Sequence, residues 1–256
     1  MANPSVILTG ASDGIGRAMA LEFARKKYSL GLIARRSELL LSLKSECENL
    51  GSPQVFIIAV DVTQEEAFES ALNTLDDALG GATIFIANAG VTGRSTFNAN
   101  AWKEAKLTLS VNVMAAIHGL EVMKVKMLNR KSGTLCGISS IAGARGMPTA
   151  GAYSTSKAAL TTHLETMRVD LKSRNISVVT IAPGFIDTAM TKKNKRYMPF
   201  LDTAERAAKV FVSGIIRQKR FVVAPLPYRF IYPVLQMLPR SVFDWLMSKA
   251  YQSIRG

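Results

Sequence analysis

Thr9-Gly10-Ala11-Ser12-Asp13-Gly14-Ile15-Gly16 stands between a short apolar run, Ser5–Thr9, and a pattern of helical period around 15–27. Glycines at 10, 14 and 16 permit a tight turn and a close backbone approach. A helix that opens there presents free N–H groups and the positive end of its dipole, which suits a pyrophosphate. The spacing departs from the fingerprint G-x-G-x-x-G, and turns need glycine in any case. Its place, after a first strand and at the start of a helix, is what gives the motif weight.

The same alternation continues along the chain. Ser5–Thr9, Ser29–Ala34, 54–60, 83–87, 133–139 and 176–181 are short, continuous and rich in Val and Ile, the pattern of strands buried on both faces. Segments around 15–27, 37–50, 64–79, 101–129, 151–173 and 203–218 read as helices, and Phe221–Ala224 as a seventh strand. The alternation predicts an α/β fold, a doubly wound parallel sheet of about seven strands with helices on both faces. No linker rich in Gly, Pro or Ser and no repeat divides the chain, so 1–256 is read as one domain.

Two cysteines, Cys47 and Cys136, cannot build a disulfide framework and favour a reducing, cytoplasmic compartment. The start, Met1-Ala2-Asn3-Pro4-Ser5, lacks a basic region and a long apolar run, so no signal peptide is expected. His118 and His163 lie far apart with no cysteine near them, which argues against zinc. The net charge of +13 favours an anionic partner: a phosphorylated cofactor, an acidic carrier or a membrane surface. No zinc-finger, RNA-recognition or basic-zipper pattern accompanies it, so nucleic acid is not expected. The tail from 222 to 238 is apolar but contains Pro225, Pro227 and Pro233, which disfavour a continuous helix. It is also short for a bilayer span. Residues 241–254 look amphipathic, which suits packing on the domain, on a second subunit or on a membrane surface.

The chemistry centres on Tyr153-Ser154-Thr155-Ser156-Lys157. On a helix the phenol and the amine share one face. A nearby ammonium favours the phenolate, so the pair is expected to act as a general acid/base nearer neutrality. Ser140 lies thirteen residues upstream, at the end of the strand at 133–139. Ligands in open α/β sheets bind beyond the carboxyl ends of strands, so its hydroxyl could face a substrate. Ser139 competes with it for that role.

Residues 9–16, Asn88-Ala89-Gly90, Asn112, Ser140, Tyr153, Lys157 and Pro183-Gly184 resemble, in order and spacing, the short-chain dehydrogenases/reductases, over roughly 5–224. The resemblance implies a Rossmann-type fold, a nicotinamide cofactor and hydride transfer to or from a carbonyl or alcohol. It assigns Ser140 to the substrate oxygen and Tyr153 to proton donation. Lys157 would lower the Tyr153 pKa and hold the nicotinamide ribose, and Asn112 would support a water that relays protons to Lys157. It places Gly10, Ser12, Asp13, Gly14, Ile15 and Gly16 on the cofactor, with Asp61-Val62 at the adenine. Asn88, Ala89, Gly90, Pro183, Gly184, Ile186 and Thr188 shape the same cleft. It further implies a homodimer or homotetramer, a substrate lid at 187–200 and an extension at 225–256.

The second strand ends in Ala34-Arg35-Arg36, with no acid before Glu38. An acidic residue there would bind a free ribose 2′-hydroxyl, whereas guanidinium suits a 2′-phosphate. NADP(H) is therefore expected rather than NAD(H), with Arg35 first and Arg36 second. Asp13 stands where many NADP-preferring relatives carry a base, and is read as a helix cap. The run Thr191-Lys192-Lys193-Asn194-Lys195-Arg196 holds four cations in six positions. With the apolar tail it suggests an acyl or lipid-like ketone met near a membrane. The expected activity is an NADPH-dependent carbonyl reductase or the reverse alcohol dehydrogenase. The alternative is a non-catalytic nucleotide-binding protein on the same fold, which would need no proton donor.

Overall fold

The computed structural model describes residues 4–93, 100–191 and 198–255. The first strand, β1 (Ser5–Thr9), is buried along its length and pairs in parallel with β2 (Ser29–Ala34) on one side and β4 (Ile84–Ala87) on the other. β3 (Val55–Ala59), β5 (Gly133–Ile138), β6 (Ile176–Pro183) and β9 (Phe221–Ala224) complete a seven-stranded sheet in the order β3-β2-β1-β4-β5-β6-β9. Every pairing in it is parallel. The order reverses beside β1, and a crevice opens at that point beyond the carboxyl ends of the strands.

Successive side chains of β1 point to opposite faces, and each face has its own core. Val6 and Leu8 pack with Met19 and Phe23 of α1 (Gly14–Arg25), Leu40 and Leu43 of α2 (Ser37–Asn49), and Phe211 and Ile215 of α7 (Ala204–Ile216). Ile7 packs on the other face with Phe68 and Leu72 of α3 (Glu65–Ala78), Leu120 and Met123 of α5 (Ala116–Arg130), and Leu160 and Leu164 of α6 (Gly151–Asp170). Burying each such side chain contributes about 1.5–3 kcal/mol.

Three features depart from the sequence reading. The helix expected at 101–129 is broken: α4 (Ala101–Leu109) passes through a π-helical turn, Ser110–Ala115, before α5 begins. Such a turn widens the helix locally and is common at functional sites; this one carries Asn112. Second, Ile186–Asp187 (β7) pairs in parallel with Asp202–Thr203 (β8), across the segment expected to be a lid. Two-residue strands carry no periodicity that a sequence can show. Lys192, Lys193, Asn194, Lys195 and Arg196, the cationic run, lie outside the described residues. Third, the proline-bearing tail does form a helix, α8 (Pro227–Met237). Pro227 occupies the first turn, where no N–H donor is required, and Pro233 lies on an exposed face. The amphipathic segment read at 241–254 is a helix, α9 (Arg240–Arg255). Its Phe243 is buried, as are Tyr228 and Tyr232 of α8.

The turn after β1 leaves no room for a side chain at its third glycine. A Cβ on Gly16 would lie 2.2 Å from the Gly10 carbonyl oxygen, which belongs to the backbone and cannot swing away. Gly16→Ala is therefore expected to cost ~1–3 kcal/mol and to lower Tm by several degrees. An unchanged melting curve would show that the turn relaxes freely.

Candidate active site

Beyond the last β1–β4 ladder pair, Leu8↔Ile86, side chains take over the joining of the two strands. Thr9 Oγ1 accepts from the backbone N–H groups of Asn88 and Ala89, each at 3.0 Å. Asn88 Nδ2 donates back to the carbonyls of Thr9 at 2.9 Å and Gly10 at 3.2 Å. Gly10 has φ +67°, and a Cβ there would sit 2.8 Å from Ala89 Cα. The turn and the end of β4 are thus in direct contact, and both face a cleft of about 380 Å³.

This cleft collects nearly all the residues singled out in the sequence. Gly10, Ser12, Asp13, Gly14, Ile15, Gly16, Arg35, Arg36, Asp61, Val62, Asn88, Ala89, Gly90, Pro183, Gly184, Ile186 and Thr188 line it, as do Ser140, Tyr153 and Lys157. Asn112 does not. Its side chain is buried in the π turn, where Oδ1 accepts from Val91 N at 2.8 Å, and Nδ2 donates to Val91 O at 2.9 Å and Ser156 Oγ at 3.0 Å. Gly90 separates it from the lysine: a Cβ on Gly90 would be 3.3 Å from Asn112 Oδ1 and 3.6 Å from Lys157 Nζ. Val91, Met190 and Thr191 also line the cleft and were missed. Val91 follows the Asn88-Ala89-Gly90 stretch directly, so adjacency alone could have found it.

The two serines bond to different partners. Ser139 Oγ donates to Lys157 O at 2.9 Å and meets Thr161 Oγ1 at 2.7 Å, which fixes β5 to α6. Ser140 begins a short 3₁₀ turn, its Oγ accepting from Ala142 N at 3.1 Å, and its hydroxyl also bonds the Tyr153 phenol. Lys157 Nζ donates to the Ile138 carbonyl at 2.8 Å and lies 5.7 Å from the centre of the Tyr153 ring.

At the other end of the cleft the arginines are already paired. Arg35 Nη1 is 3.6 Å from Asp61 Oδ2. Arg36 Nη2 donates to Ser12 Oγ at 3.1 Å and lies 3.4 Å from Asp13 Oδ2. Asp13 caps α1 through Oδ1, which accepts from Gly14 N at 2.7 Å, so one carboxylate serves both the cap and the arginine.

The family described as short chain dehydrogenase matches residues 4–198. An uncharacterized oxidoreductase of Myxococcus xanthus is 34% identical over 95% of this chain and 96% of its own length. The chain belongs to the short-chain dehydrogenase family. Another relative, named 11-beta-hydroxysteroid dehydrogenase-like 2, from Arabidopsis thaliana, is 31% identical over 97% of this chain and 82% of its own length. Among solved structures, a short-chain dehydrogenase/reductase from Burkholderia phymatum in complex with NAD has the same fold. Its TM-score is 0.80, with 21% identity over 90% of this chain and 92% of that one.

In this short-chain dehydrogenase the electrostatics of Tyr153 and Lys157 depart from the sequence reading. Lys157 was expected to lower the Tyr153 pKa. Instead, burial raises the phenol, and the opposing hydrogen bond from Ser140 does not overcome it. Burial also lowers the Lys157 amine to about 8. The physical reason is shared: desolvation penalises phenolate and ammonium alike, so it drives both groups toward neutrality. Asp61 follows another balance. Burial raises its carboxyl, but hydrogen bonds from Thr63 and the Arg35 guanidinium outweigh that and hold it below the usual range.

A buried amine that titrates near 8 makes stability depend on pH. Below about 8 the amine is charged in the folded and unfolded chains alike, and the cost of burying the charge is fully present. Between about 8 and the ordinary 10.5 the unfolded chain holds the extra proton, so folding gains as pH rises. Relative to Lys157→Met, the wild type should gain stability between about pH 7 and about pH 10 in urea denaturation. A constant difference between the two proteins would mean that the amine titrates normally.

Proposed function

We propose that this oxidoreductase is an NADPH-dependent reductase of an apolar carbonyl, or the reverse alcohol dehydrogenase. The observation that carries the reading is convergence. Ser140, Tyr153 and Lys157 line the same cleft as the two arginines Arg35 and Arg36.

 The residues present fit a phosphorylated dinucleotide. Gly16 is kept bare by the Gly10 carbonyl, so a pyrophosphate could approach the backbone closely at the start of α1. Arg35 and Arg36 are both exposed at the end of β2, where a 2′-phosphate could take them from Asp61 and Asp13 as a bidentate partner.

When bound, the nicotinamide supplies the hydride to the carbonyl carbon. The chain supplies the proton. Ser140 hydrogen-bonds the carbonyl oxygen and holds it at the phenol, and Tyr153 donates its proton to that oxygen. The raised Tyr153 pKa keeps the phenol protonated and ready to donate. Lys157, fixed by the Ile138 carbonyl, would hold the ribose hydroxyls, and Asn112, bonded to Val91 and Ser156, would hold the π turn beside it. An apolar substrate, an acyl, lipid or steroid-like ketone, agrees with exposed Met190 at the cleft and with the name of the Arabidopsis relative. We place the protein in the cytoplasm as a homodimer or homotetramer, with peripheral contact to a membrane. A non-catalytic nucleotide binder is not favoured, since it has no use for a buried phenol joined to a serine.

Tyr153→Phe should abolish NADPH oxidation with a ketone panel while NADPH binding, followed by fluorescence, persists. Retained turnover would remove Tyr153 as the donor. NADPH should be oxidised roughly tenfold or more faster than NADH, the value of one charge-assisted hydrogen-bonded contact, and Arg35→Glu should erase the difference. Equal rates in the wild type would overturn the NADP assignment.

A further inference from the structure

We propose that α8 and α9 form a docking face for an anionic lipid bilayer beside the cleft. This deepens the apolar-substrate reading and rests on it only for the route the substrate takes. Leu226, Phe230, Val234 and Met237 follow one another at steps of four, four and three residues, so they share one side of α8. They are 64%, 68%, 57% and 83% exposed. Val242, Trp245 and Leu246 of α9 are exposed as well. Single exposed apolar side chains are ordinary, but a run of them on successive turns of a helix whose other face is already buried is not.

The charges select the occupant. Between 225 and 252 the chain carries Arg229, Arg240 and Lys249 against Asp244 alone. Lys249 Nζ lies 4.0 Å over the Trp245 ring, a cation held beside an amphipathic aromatic. Apolar side chains bordered by cations suit a helix lying in the headgroup layer of an anionic membrane. A second copy would bring the same local excess, Arg229, Arg240 and Lys249 over Asp244, against itself, which opposes self-pairing at this face. Among the described residues no helix is long and apolar enough to cross a membrane, so the contact proposed is peripheral.

The face is tied to the site. Arg145, in the loop after Ser140, donates to Leu238 O at 2.8 Å and lies 4.5 Å from the centre of the Phe243 ring. Tyr228 stacks edge-on to Phe185 and Phe200 and donates to Pro199 O at 2.5 Å. The inner face of α8 therefore forms part of the support of the cleft wall, while its outer face meets lipid. A ketone dissolved in the bilayer could then reach Tyr153 by a short path.

The test is flotation of the full chain with phosphatidylcholine vesicles, with and without phosphatidylglycerol, at low and high salt. Wild type should float with the anionic vesicles at low salt. The triple variant Phe230→Asp, Val234→Asp, Trp245→Asp should lose on the order of tenfold or more of that binding, while turnover of a water-soluble ketone stays unchanged. If the triple variant fails to fold, the charge reversals Arg229→Glu and Lys249→Glu should lower flotation with anionic vesicles. Absence of wild-type flotation, or equal flotation of a folded variant, overturns the proposal. So does a wild-type dimer that the triple variant dissociates without any vesicle binding. Flotation needs no turnover, so failure of the reductase assignment and failure of the docking face are told apart.

Discussion

The carboxyl ends of β1 and β4 are joined by side chains where the ladder between them stops, and the site depends on that join. Thr9 Oγ1 satisfies two N–H groups that the diverging strand would leave unpaired, and Asn88 satisfies two carbonyls on the other side. Buried backbone groups without partners are costly, so the crevice can stay open only because these two side chains close the account of its edges. Gly10 and Gly16 follow from the same join. With Ala89 and Asn88 drawn up against the turn, neither position has space for a Cβ.

Desolvation governs the other end of the cleft. α6 carries Tyr153 and Lys157 on one side, and Ser139 fastens that helix to β5 through the Lys157 carbonyl. The amine then sits against Ile138 O, 4% exposed, and the cost of its charge shows in a pKa near 8. The phenol is therefore held neutral, while the amine keeps its proton below about pH 8. A neutral phenol is a proton donor already, so the reduction proposed above would need no depressed Tyr153 pKa. Oxidation, which needs the phenolate, would depend more heavily on positive charge brought into the cleft.

Much of this was legible in the sequence, for identifiable reasons. The strands are buried on both faces, so they appear as unbroken Val and Ile runs, and the glycine turn declares itself because nothing else fits. The cleft residues could be gathered because they occur at strand ends in a fixed order. What the sequence hid depends on tertiary balance. The π turn around Asn112 arises from contacts with Val91 and Ser156, the latter 44 positions away. The direction of the Tyr153 shift depends on burial, which spacing on a helix does not reveal. α8 was misjudged because proline was weighed as a breaker everywhere, when one sits in the first turn and the other faces solvent.

α8 also explains why the wall of the cleft and the outer surface of the tail cannot vary independently. Tyr228 fills the space over Gly184, where a Cβ would come within 2.2 Å of its ring. It is held by Phe185, Phe200 and the Pro199 carbonyl. Its orientation fixes the rotation of α8 about its own axis, and that rotation decides which residues turn outward. With Tyr228 and Tyr232 directed inward, Phe230 and Val234 must face away from the domain. The contact that shapes the cleft wall therefore also sets the apolar stripe on the outside.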